Sequence, residues 1–190
     1  MRYVVASAYE VEGAEFGLLV ETLSITGPRI SQAARLTIDD LLTDRLMMPP
    51  SRKGRQKKRM EKKPVPIPPS LVARLRAAAG DRPGDAPLLL QPESKPWTNG
   101  THVRLFGRVA KAAGLDPRVV TISALRHSSI VRQLLANVPV RVVASYHDTS
   151  VQMIEKTYSK YILDHTDVLT RRALLDLDAP TRGGKVILLR

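Results

Sequence analysis

The chain has 190 residues, no cysteine, and 30 Lys+Arg against 18 Asp+Glu, a formal net charge of +12. The missing cysteines exclude disulfides, thiol nucleophiles and thiolate-bound metal, and no stretch approaches the ~20 apolar residues of a membrane span. A chain of this size buries roughly 70% of the surface its unfolded form exposes, enough for a core without staples. A pI of about 10.4 is the electrostatic footprint of a polyanion binder.

In chain order, the N-terminus MRYVVASAYEVEGAEFG meets glutamates too early for a signal peptide, so a soluble intracellular protein is expected. Helical spacing begins at residue 14 and puts Phe16, Leu19, Val20 and Leu23 on one face, with Gly27-Pro28 as the stop. A short helix is expected from Ile30 to Leu36. Extended segments at Arg45–Met48 and Pro64–Ile67 flank a basic run and predict a hairpin over about 45–67. Its tip, residues 51–63, holds eight basic residues (Arg52, Lys53, Arg55, Lys57, Lys58, Arg59, Lys62, Lys63) and one Glu, most of the chain's charge excess. Aromatics are only 4% of the chain, which favours phosphate contact over base stacking.

Residues 70–80 read as a helix with Ser70 as N-cap and Gly80 as stop. Leu88–Leu90 is strand-like between Pro/Gly-rich loops. Helices follow over 101–115, about 123–136, 140–146 and 151–162, broken at Asn137–Pro139 and His147–Ser150, and a last one over 167–177 leads to a polar tail. The expected fold class is mainly α with a small antiparallel β-hairpin, an α+β arrangement without βαβ alternation.

The residues that carry chemistry are Arg126, His147 and Tyr158 in the helical run 121–161, with Arg29 in TGPRISQAARL. Arginine offers a planar fork matched to phosphate oxygens, histidine a compact donor, and tyrosine a nucleophile. Singly, each has a plainer reading. Arg29 after Gly-Pro could cap, lysines in a charge run are usually solvated, and Tyr158 has Ile154 and Ile162 at helical spacing for core packing. Tyr161 faces nearly the same way as Tyr158. The four histidines (His102, His127, His147, His165) lack metal-ligand spacing, and His127 beside Arg126 reads as a packing or supporting residue. Gly107 and Gly114 close a helix and form no nucleotide loop.

As an ordered set, TGPRISQAARL, a basic hairpin, ALRHS, and a histidine eleven residues before a tyrosine resemble the catalytic domain of tyrosine recombinases, the phage-integrase family. The resemblance spans about Glu15 to Ile162. It implies a catalytic domain over 1–164, a C-terminal helix and tail over 165–190, and no N-terminal core-binding domain. Arg29 and Arg126 match the two arginines of that family, His147 its later histidine, and Tyr158 its nucleophile. The hairpin lysine is best placed at Lys53, with Lys57 or Lys58 as alternatives. Ser123 stands where the family usually has histidine, which removes a base for the tyrosine proton; otherwise Ser123 caps the following helix.

The resemblance implies cutting and rejoining of double-stranded DNA through a 3′-phosphotyrosine, without metal or cofactor, in the bacterial cytosol or nucleoid. The remaining basic hairpin residues, Arg52, Arg55, Lys57, Lys58, Arg59, Lys62 and Lys63, would hold DNA, and the tail would join protomers on it. Two other readings stay open: a truncated or decayed integrase that binds without efficient cleavage, and a relaxing topoisomerase of the same chemistry.

Overall fold

The structure is a computed structural model that describes residues 1–51, 61–98, 100–163, 170, 171 and 174. Seven helices and one two-stranded antiparallel sheet make up the regular structure of the described residues, in the order α1 (Arg2–Thr26), α2 (Ile30–Ala33), β1 (Arg45–Met48), β2 (Lys63–Pro66), α3 (Pro69–Ala79), α4 (Thr101–Ala112), α5 (Ser123–Leu135), α6 (Val140–Tyr146) and α7 (Val151–Leu163). This is the expected fold class. The expected hairpin forms with Leu46 opposite Val65 and Met48 opposite Lys63.

Helix α1 begins well before residue 14. Its first part, through Glu12, is joined to the second across Gly13, whose φ of 83° breaks the helical path. The break lets Tyr9 fold against Gly17, where a Cβ would sit 2.3 Å from the ring, and Tyr9 Oη donates to Glu21 at 2.7 Å. Weak amphipathic patterning in a segment that packs on its own continuation hid this helix from periodicity. The second part behaves as expected: Phe16, Leu19, Val20 and Leu23 are all buried.

Other elements shift by small amounts. α2 ends at Ala33, and the chain then passes through a 3-10 turn at Ile38–Asp40. Ser70 is not the N-cap of α3; Pro68 is, with Pro69 opening the helix, because a proline needs no partner for its missing N–H. Leu88–Leu90 forms no strand. Leu90 makes only an isolated bridge to Pro96, and burial of Leu88 and Leu89 accounts for their apolar run.

Two apolar clusters result. The larger unites α1, Ala33, the hairpin, α3, Leu88, Leu89, Trp97 and α4. The smaller holds Ile130, Leu134, Val143, Ala144, Ile154 and Tyr158 from α5, α6 and α7. The turns between these last helices follow one device. Asn137 N–H donates to Leu134 O and Val138 N–H to Gln133 O; after α6, Asp148 N–H reaches Ser145 O and Thr149 N–H reaches Ala144 O. Both are Schellman closures, with Asn137 (φ 60°) and Asp148 (φ 50°) in the left-handed conformation that short polar side chains tolerate. The second closure fixes His147.

Candidate active site

The site is built where the C-terminus of α1 meets α5. The last carbonyls of a helix lack intrahelical partners and carry the negative end of its dipole. Here α5 supplies the cations. Arg132 Nη2 donates to Ser24 O at 3.1 Å and Ile25 O at 3.2 Å, and Arg126 Nη1 donates to Gly27 O at 2.9 Å. The other arm of Arg126 bonds His147 O, so one guanidinium ties the end of α1 to the turn after α6.

Gly27 is the pivot. Its φ of 64° closes α1, and a Cβ would lie 2.6 Å from both His147 Cε1 and Ser129 Cβ. Glycine is required on both counts. His147 Nδ1 donates to the Gly27 carbonyl at 3.2 Å, the only role a nitrogen can take toward a carbonyl. His147 is 2% exposed, and its Nε2 finds no hydrogen-bond partner among the described residues. Burial first, and Arg126 second, push its pKa down to about 4, so the imidazole is neutral.

Arg29 enters as the N-cap of α2. Its N–H is held by Gln32 Oε1 at 3.1 Å, and the buried Gln32 amide donates to Pro49 O at 2.7 Å, which locks α2 to the residue just after β1. The Arg29 side chain donates to Asp148 O at 3.1 Å. Arg29, Arg126 and Tyr158 lie within electrostatic reach of one another. Burial lowers the Arg126 pKa to about 10, Arg29 pushes it the same way, and Tyr158 and Asp148 pull it up. The Tyr158 phenol is buried, and that burial raises its pKa against the opposing pull of Arg126.

Thus four of the five catalytic candidates lie around one seam: Arg29, Arg126, His147 and Tyr158. The fifth, Lys53, lies outside the described residues, as do Arg52, Arg55, Lys57, Lys58 and Arg59. The described hairpin lysines are engaged within the chain. Lys62 Nζ meets the buried Asp40 at 2.6 Å, and Lys63 Nζ donates to Ser145 O at 3.0 Å with Asp148 at 3.7 Å. Asp148 also accepts from Ser51 N–H at 2.5 Å, so this carboxylate couples both hairpin arms to the His147 turn. No sequence motif marks it.

Ser123 is an exposed first-turn residue of α5 and not its cap; Ile122 is the N-cap, without a side-chain hydrogen bond. One turn later, His127 Nδ1 lies 2.5 Å from Tyr158 Oη, with ring centroids 5.7 Å apart. His127 is therefore no mere packing residue. The missed signal was its place four residues from Ser123, which puts both on one helix face. Among the described residues no group of three His, Asp or Glu could hold a metal ion, and no helix is long and apolar enough to cross a membrane. An open cleft lined by Tyr9, Leu18, Arg74, Leu88–Pro92 and Ser94 contains none of the site residues.

Residues 5–162 match the phage integrase family. The chain belongs to the phage integrase family. No curated protein matches it. Solved structures of this family share its fold. The integrase of transposon Tn1549, bound to circular intermediate DNA, superposes with a TM-score of 0.72 at 18% identity, covering 91% of this chain and 64% of that one. XerA recombinase gives 0.67 at 18% identity, covering 92% and 61%. The catalytic domain of bacteriophage HP1 integrase gives 0.63 at 16% identity, covering 90% and 89%. This chain thus spans less than two thirds of the XerA and Tn1549 integrase chains, but nearly all of an isolated phage integrase catalytic domain.

Proposed function

We propose that this chain is a DNA strand-transferase catalytic domain that cuts and rejoins double-stranded DNA through a covalent 3′-phosphotyrosine at Tyr158. The observation that carries the reading is the treatment of Arg29 and Arg126. The described residues give their guanidinium groups only neutral carbonyl partners, beside a buried phenol. Two cations held by carbonyls, with no carboxylate hydrogen-bonded to either among the described residues and Asp148 acting on Arg126 only through its charge, suit a phosphodiester, whose pentacoordinate transition state gathers charge on its nonbridging oxygens.

In this reading Arg29 and Arg126 hold those oxygens. His147 adds a third donor through Nε2. A phosphate brought against that nitrogen favours the imidazolium, which supplies the N–H that the neutral ring lacks. Tyr158 Oη attacks phosphorus, and Lys53 protonates the departing 5′ oxygen as general acid. No metal is needed. The basic hairpin supplies phosphate contacts, with Arg52, Arg55, Lys57, Lys58 and Arg59 the main contributors, because Lys62 and Lys63 already have partners in the chain. The domain would extend over 1–164, with 165–190 as a tail joining protomers on DNA, in a bacterial cytosol or nucleoid.

The test is a nicked suicide substrate that traps the adduct. The wild-type chain should form a covalent complex resistant to denaturation, and Tyr158→Phe should form none while binding DNA as before. An adduct in the Tyr158→Phe variant would move the nucleophile to Tyr161. DNA binding by the wild type without any adduct would leave the chain a binding module.

A further inference from the structure

We propose that His127 is the general base that takes the proton of Tyr158, a role resting on the reading of Tyr158 as nucleophile. His127 Nδ1 stands 2.5 Å from Tyr158 Oη, inside the reach that a proton-transferring pair requires. His127 lies on α5 directly after Arg126, so one helix turn presents both a phosphate cation and the phenol's partner. The imidazole is exposed whereas Tyr158 is only 6% exposed. Water can therefore hold the N–H on Nε2, leaving Nδ1 as acceptor. Burial works against ionisation of the phenol, so attack calls for an acceptor at Oη. Ser123, one turn earlier, cannot act as one, since a serine hydroxyl without a base beside it is a poor proton acceptor.

The step balances within the site. The Tyr158 O–H bond breaks and its proton moves to His127 Nδ1. The Oη–P bond forms as the P–O5′ bond breaks, and the 5′ oxygen takes a proton from the general acid. In rejoining, the 5′ hydroxyl gives its proton back to the deprotonated general acid as its oxygen attacks phosphorus, the P–Oη bond breaks, and His127 returns its proton to the leaving Tyr158 oxygen.

A positioning role for His127 would look the same in a static structure, and two variants separate the roles. His127→Asn places an amide near Nδ1 that can hydrogen-bond the phenol but cannot take its proton; His127→Ala removes the group. Single-turnover adduct formation by the full chain on the suicide substrate should fall by roughly 10²-fold or more in both, the usual worth of a positioned base, with DNA affinity and melting temperature retained. Added imidazole should restore part of the rate of His127→Ala. A substrate with sulfur at the bridging 5′ position, whose leaving group needs no proton, should not relieve His127→Asn.

Wild-type rates in His127→Asn would overturn the proposal in favour of positioning. Failure of imidazole to act on His127→Ala would also overturn it, and relief by the 5′ sulfur would move His127 to the leaving group. These failures appear only in the variants. Absence of an adduct in the wild type would instead remove the strand-transferase reading, and this proposal with it.

Discussion

On the α1–α3–α4 side of the molecule, arginines meet carboxylates: Arg108 forms a two-point pair with Glu12 at 2.6 and 2.7 Å, and Arg74 donates through Nε and Nη2 to Glu21. At the seam of α1 with α5, the described partners of Arg29, Arg126 and Arg132 are carbonyls and one serine hydroxyl. The packing differs as well. The first side shares the large apolar cluster, whereas Tyr158 sits in the six-residue cluster of α5–α7. The contrast separates two uses of the same side chain. A cation paired with Glu is neutralised and serves the fold. A cation held by carbonyls is fixed in place with its charge intact, which a site for anions requires and a stable core does not.

The comparison can be broken from either side. The largest effect should come from Arg126→Lys, which keeps the charge but loses the fork that bridges Gly27 and His147. Single-turnover cleavage should fall by about 10³-fold, comparable to removing one oxyanion-hole donor, with a much smaller loss of DNA affinity. Equal losses in rate and binding, measured on the suicide substrate and by titration, would make Arg126 an ordinary phosphate anchor.

Gly27→Ala should cost about 2–4 kcal/mol, summing left-handed strain and overpacking. Urea denaturation measures the cost. Because the Cβ collides with His147, cleavage should suffer even where the protein stays folded; a folded, fully active Gly27→Ala protein would show that His147 needs no such anchoring.

Next in size is the pH dependence of stability. His147 is held neutral, its pKa lowered from 6.5 to about 4. The unfolded chain therefore binds its proton more readily than the folded one. The stabilisation is present above about pH 6.5 and is lost as pH falls toward about 4, a change on the order of 3 kcal/mol. Denaturation series at several pH values should show this loss in the wild type and a shallower dependence in His147→Gln. An identical slope in both would mean that other groups govern acid unfolding.

Arg74→Ala should change cleavage least. Arg74 is about half exposed but its partner Glu21 is buried, so the lost pair should cost about 1–3 kcal/mol of stability while cleavage stays unaltered. A cleavage defect in that variant would erase the distinction between the two sets of arginines.

Much of the molecule could be read without coordinates, because local rules govern it. The apolar face of α1 from residue 16, the stop at Gly27, the hairpin, α6 and the breaks at Asn137 and His147 follow from periodicity, turn chemistry and capping. The order of Arg29, Arg126, His147 and Tyr158 was legible as a pattern whose members have little weight singly. What local rules could not supply was the part that depends on two distant segments meeting. The helix before Gly13 is stabilised by packing of Tyr9 onto Gly17 and its bond to Glu21. The attachment of Arg126 and His147 to one carbonyl requires the end of α1 to lie against α5. Asp148 became a tether only when the hairpin arms reached it. His127 read as a supporting residue because nothing within α5 shows what faces it. Only the docking of α7 on α5 sets its imidazole against the phenol, a meeting of two distant segments that sequence spacing left open.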